Sequence, residues 1–171
     1  MSVALRIAPL VFVAAVVQVT VLGGARMLWA EPDLLLVTIV CVALAAGSIP
    51  GAAAGFAGGL LVDVMTLGTL GTTSIVLTLA GYWAGRYGET TGRGRRYAAP
   101  LAAFAISILA GFGAVALHFL LGEPVAARDA LVTAVPSAIL AAVLAFGVSR
   151  ITGEIFVPPR GLERPRQVEL V

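Results

Sequence analysis

Six apolar runs follow one another between residues 3 and 149, and nearly all the arginines fall in every second gap between them. A chain so patterned has little choice but to become a bundle of membrane-crossing helices. Each helix needs roughly 20 residues to cross about 30 Å of hydrocarbon. Six crossings with short connections therefore use the sequence up to residue 150 and leave no stretch for a soluble domain. Only 12% of the 171 residues are charged, whereas a soluble domain carries about a quarter to cover its surface. The expected fold is all-α, a polytopic integral membrane protein.

The expected transmembrane domain is 1–150, with spans at about 3–22, 34–47, 51–66, 72–86, 98–121 and 130–149. The second and third are short. Their apolar cores, Leu34 to Ala46 and Gly51 to Thr66, reach roughly 20 and 24 Å at 1.5 Å per residue. They must therefore be extended by flanking residues, thin the bilayer locally, or form a re-entrant hairpin. Between them, Gly47-Ser48-Ile49-Pro50-Gly51 reads as a break. With the N-terminus inside, Arg6, Arg86, Arg93, Arg95, Arg96, Arg150, Arg160, Arg164 and Arg166 are cytoplasmic, and only Arg26 and Arg128 are outside. That asymmetry is the positive-inside pattern and gives N-in/C-in. Tyr82 and Trp83 flank the basic segment as interfacial anchors, with Arg86, Arg93, Arg95 and Arg96 placed to hold anionic lipid headgroups rather than nucleic acid. The opening run is longer than the apolar part of a signal peptide and reads as a retained helix. Residues 151–171, with Pro158, Pro159 and Pro165, read as a flexible cytoplasmic tail.

Polar residues inside the runs are few. Gly47, Gly51, Gly55, Gly59 and Asp63 recur every four residues, forming a row of small residues on which another backbone can pack closely. Asp63 ends the row, so its carboxylate faces protein, either as a cap for the turn Leu67 to Gly71 or as an ion-handling group. His118, the one histidine, reads as a packing residue or as a relay partner of Asp63. Gln18 reads as an interhelical hydrogen bond, and Arg6 as a side chain reaching the headgroups. The sequence has no HExxH, phosphate loop or GxSxG signature. Cys41 stands alone, with no CxxC partner. Neither an enzyme nor a cofactor site is expected.

The series Glu31-Pro32-Asp33 leading into Leu34-Leu35-Leu36, then Pro50-Gly51, Gly55-Phe56, Gly58-Gly59-Leu60-Leu61-Val62-Asp63, the Leu67-Gly68 turn, and Gly81-Tyr82 with Gly85 resembles the rod shape-determining MreD family. The resemblance marks Pro32 and Asp33 along with the glycines and Asp63. It implies a six-helix bundle like the substrate-binding subunits of energy-coupling vitamin transporters. It also implies a non-catalytic scaffold of the bacterial elongation machinery in the cytoplasmic (inner) membrane. The implied partners are an MreC-like bitopic protein, an MreB-like actin, a RodA-like polymerase and a class B transpeptidase, and the implied task is organising peptidoglycan synthesis and rod shape. The alternative is a small-molecule, vitamin-type binding subunit of a transporter. Ala4 and Ala8 offer the small-residue pair such subunits use, but the polar residues available for a pocket are sparse.

Overall fold

A computed structural model describes residues 3–22, 33–67, 69–91, 98–122 and 127–156. Leu34–Ala46, the second helix (α2), is apolar on every side. A helix without a polar face has to be surrounded, and here it is: every residue from Leu35 to Ala43 is buried. The other five helices, Val3–Val17 (α1), Ser48–Thr66 (α3), Thr72–Thr91 (α4), Ala98–Leu120 (α5) and Ala127–Phe156 (α6), all pack on α2. Around it α1 meets α3, α3 meets α4, α4 meets α5 and α5 meets α6. Chain neighbours run antiparallel, so the bundle has two ends.

The central position resolves the shortness of α2. Its thirteen residues span about 20 Å, yet its sides meet protein rather than lipid, so no bilayer has to thin around it. At nineteen residues, α3 is long and apolar enough to cross a membrane. It lies alongside α4 over its whole length, from Ser48 beside Gly85 to Gly59 beside Ser74. The outer helices follow ordinary amphipathic logic with the polarity removed. On α1 the buried stripe is Ile7, Val11, Ala14 and Ala15, at the spacing of one helix face. The opposite faces keep large apolar side chains exposed, such as Phe12, Leu109, Phe112, Ile139 and Val143, as a bilayer solvent permits.

Three boundaries differ from the sequence expectation. The break between α2 and α3 is confined to Gly47, at φ 106° and ψ −179°, a region open essentially only to glycine. Its N–H donates to the Ala43 carbonyl at 2.8 Å and its carbonyl accepts from Gly51 at 3.0 Å, so one residue closes one helix and opens the next. Pro50 then falls in the first turn of α3, where its missing N–H has no intrahelical partner to lose. Second, α4 continues past Arg86, where the expected span ended, to Thr91. Third, α6 runs past Arg150 to Phe156, where a tail was expected; Arg150 packs over the Phe146 ring at 4.9 Å. Gln18–Leu22 continues α1 as a π-helical segment, which the apolar pattern does not foretell. Among the described residues, α3, α5 and the Val132–Gly153 part of α6 are long and apolar enough to cross a membrane, and α1 and α2 are shorter apolar helices.

Candidate functional site

The helix pair α3–α4 is built on absent side chains. A Cβ added at Gly51 would lie 2.5 Å from the Ala43 Cβ and 2.6 Å from the Gly81 carbonyl oxygen, closer than real contacts allow. At Gly55 it would overlap the Leu77 carbonyl, at Gly59 the Ser74 backbone, at Gly81 the Gly51 carbonyl and at Gly85 the backbone of Gly47 and Ser48. The glycines of the two helices thus answer one another in antiparallel register. Backbone approaches backbone, which maximises van der Waals contact where lipid removes the hydrophobic drive for helix association. Ser74 adds a hydroxyl that donates to the Phe56 carbonyl at 3.2 Å.

A carboxylate closes each end of this pair. Asp63, only 3% exposed, sits near the end of α3 and accepts from the backbone N–H groups that open α4. Gly71 donates to Oδ2 at 2.8 Å, with Thr73 at 3.3 Å and Ser74 at 3.5 Å around it. At the other end Glu89, late in α4, accepts from the Ser48 N–H at 2.8 Å and the Ser48 hydroxyl at 3.0 Å, satisfying the start of α3. Each carboxylate supplies the negative charge that a helix N-terminus favours. Arg86 lies 3.6 Å from Glu89. Glu89 lies beyond the apolar part of α4, and its carboxyl is held below the ordinary value, first by the Ser48 backbone hydrogen bond, then by the Ser48 hydroxyl and Arg86.

The start of α2 is satisfied in the same way. Asp33 accepts from Leu36 N–H at 2.9 Å, and Gln18, on the π segment, accepts from Leu34 N–H at 2.8 Å. Both line a cavity of about 360 Å³ at the Asp63 end of the bundle. Its walls come from the π segment, the opening of α2, and α4, α5 and α6, and include Thr72, Ser107, His118, Thr133 and Ser137. His118 therefore joins Gln18 and Asp33. Asp63 is not among the lining residues, and its described bonds all go to backbone N–H groups, so no relay between Asp63 and His118 is assembled. The sequence reading missed Ser107, Thr133, Ser137 and Glu89. Ser107 lies on α5 and Thr133 and Ser137 on α6, each a lone hydroxyl within an apolar run, and Glu89 sits beyond the apolar run of α4.

Two further hollows open on the outer faces. One of about 720 Å³ lies between α1 and α3, lined by residues such as Pro9, Phe12, Ala53 and Leu61. The other, about 460 Å³, lies between α4 and α5. Trp83 lines the second, and the Tyr82 and Trp83 rings meet edge to face at 5.9 Å. Arg6, Arg86 and Arg150 all lie towards the Glu89 end, where α1 begins and α4 and α6 finish. Pro32, Arg93, Arg95 and Arg96 lie outside the described residues.

An antiparallel all-helical bundle with apolar outer faces, three helices fit to cross a bilayer and its polar groups turned inward defines an integral membrane protein. A family model described as rod shape-determining protein MreD matches residues 2–149, and the chain belongs to that family. No curated protein and no solved structure matches it.

Proposed function

We propose that the protein is a non-catalytic scaffold of the cell-elongation machinery in the bacterial cytoplasmic membrane. It contacts an MreC-like bitopic protein and works with an MreB-like actin, a RodA-like polymerase and a class B transpeptidase to organise peptidoglycan synthesis and rod shape. All six helices cross the membrane, with the Glu89 end and both termini cytoplasmic. The placement of Arg6, Arg86 and Arg150 at that end supports this orientation. A likeness to the energy-coupling vitamin subunits belongs to the same reading and draws support from the six helices with a cavity at one end.

The observation that carries the reading is where the intramembrane chemistry goes. The glycines, Asp63, Asp33 and Gln18 are engaged within the chain, holding helix to helix. What faces outward is apolar surface with two hollows, α1–α3 and α4–α5, against which a transmembrane helix of another protein can pack by van der Waals contact. The test is photo-crosslinking in native membranes from Ala53 in the first hollow and Leu109 in the second, with buried Ala84 as the control position. Crosslinks from either hollow to wall-synthesis proteins are expected, and none from Ala84. Recovery of a transport ATPase pair instead would overturn the scaffold reading.

A further inference from the structure

The two apolar hollows on the outer faces differ in the charge aligned with them. On α4 the wall of the α4–α5 hollow includes Ile75, Leu79 and Trp83, each more than half exposed. Arg86 continues that stripe. With 3.6 residues per turn it falls within about 20° of both Ile75 and Leu79 around the helix, and about one turn beyond Trp83. The α1–α3 hollow has no such alignment on α1, where Arg6 stands about 160° from Ala8 and about 140° from Val11.

The order along this stripe is that of a phospholipid read from tail to head. Ile75 and Leu79 offer hydrocarbon, Trp83 an amphipathic ring of the kind that settles at the headgroup level, and Arg86 a cation. Tyr82 meets Trp83 edge to face at 5.9 Å, which holds the indole at the rim. From Ile75 to Arg86 the helix rises about 16 Å, close to one leaflet's half of a hydrocarbon core of about 30 Å. The far wall on α5 leaves room for a chain, because a Cβ added at Gly113 would meet nothing within 4 Å. Glycine inside a helix costs about 1 kcal/mol relative to alanine, and at Gly113 no close helix contact offsets that cost as it does at Gly55 or Gly59.

Charge selects the headgroup. The Arg86 side chain is 59% exposed and lies 3.6 Å from Glu89 Oε2, while Glu89 Oε1 accepts from Ser48. A guanidinium carries five N–H donors in a fork that matches phosphate, so one contact with Glu89 leaves donors for a second anion. The sequence between α4 and α5 adds Arg93, Arg95 and Arg96 and no acid. We propose that the α4–α5 hollow holds an acyl chain of an anionic phospholipid from the leaflet at the Glu89 end, with the lipid phosphate on Arg86. The site goes beyond the scaffold reading and does not depend on it, since the α1–α3 hollow stays open to a partner helix.

The test reconstitutes the full chain in nanodiscs of equal phosphatidylglycerol and phosphatidylcholine with identical acyl chains, and native mass spectrometry reads the lipid retained after extraction. Preferential retention of phosphatidylglycerol is expected. Arg86→Gln should reduce that preference about fivefold, as about 1 kcal/mol per basic residue at an anionic surface gives, and Arg86→Lys should keep most of it. Arg150→Gln removes the same charge at the same end of the bundle, away from the hollow, and should leave the preference intact. Gly113→Leu, which fills the hollow, should lower retention at least fivefold, with Ala116→Phe as the second filling variant. Glycerol 3-phosphate, which has the charge and no chain, should not displace the lipid. Melting temperatures check that each variant folds. Equal retention of the two lipids would overturn the proposal. So would equal losses in Arg86→Gln and Arg150→Gln, retention unchanged in the folded filling variants, or displacement by glycerol 3-phosphate. Crosslinking from Ala53 to partner proteins in the same variants reads the scaffold role separately.

Discussion

Asp63 and Glu89 perform one task at opposite ends of the same helix pair, in different surroundings. Around Asp63 the donors are buried or partly buried, so a substitution that removes the acceptor leaves backbone N–H groups unmet, at about 1–3 kcal/mol for each fully buried one. Asp63→Asn keeps a carbonyl oxygen and should retain most stability and cell-shape activity. Asp63→Leu should lose both. Membrane protein levels and cell shape are the readouts, and equal loss in both variants at normal levels would favour an ionisable role over a capping one. Glu89 is exposed, and its effect appears in pH. A carboxyl whose folded value is depressed below its usual 4.5 stabilises the fold at neutral pH, and that stability disappears as pH falls through the folded value. Glu89→Gln should therefore melt lower than wild type at pH 7, with the gap closing at acidic pH.

Among the helices, the glycine row was legible because small residues every four positions leave a mark that apolar composition alone does not. The sequence did not show which surface meets them. That depends on Gly81 and Gly85 lying opposite Gly51 and Ser48, a register fixed by the turn that Asp63 caps. The row packs within the chain, on α4. Gly55→Ala drives a methyl into the Leu77 carbonyl and should destabilise by about 1–3 kcal/mol. Gly147→Ala, with nothing within 4 Å of the new methyl, should be neutral or stabilise by up to about 1 kcal/mol. Thermal unfolding of the two purified variants separates them. The single-residue corner at Gly47 and the π segment were not legible. Both are backbone states chosen by tertiary packing, and hydropathy carries no trace of them. The helix ends at Thr91 and Phe156 were missed for a related reason, since α4 and α6 continue beyond the apolar runs that outlined them.

At the level of the molecule, the six-run pattern gave the helix count, and what it withheld was the arrangement around α2. The orientation proposed above rests on the arginines. Cysteines placed at Gly92 and Pro165 should resist a membrane-impermeant reagent added to intact cells and react after lysis, while buried Cys41 stays silent in both; labelling of either site in intact cells would reverse the orientation. The central place of α2 also has a consequence for biosynthesis. This helix leaves the ribosome second, yet the neighbours that cover it arrive through to Phe156, the end of α6. At about 5–20 residues per second, the remaining chain takes roughly 5–20 s to be made. During that interval α2 is a segment of about 20 Å in hydrocarbon of about 30 Å, a mismatch that its early neighbours α1 and α3 shield only in part. The nascent protein therefore passes through a stage at which an insertase or a neighbouring subunit has to shelter it. A chain stopped at Leu67 should be cleared by membrane proteases within minutes, and one stopped at Phe156 should persist, as pulse-chase labelling would show.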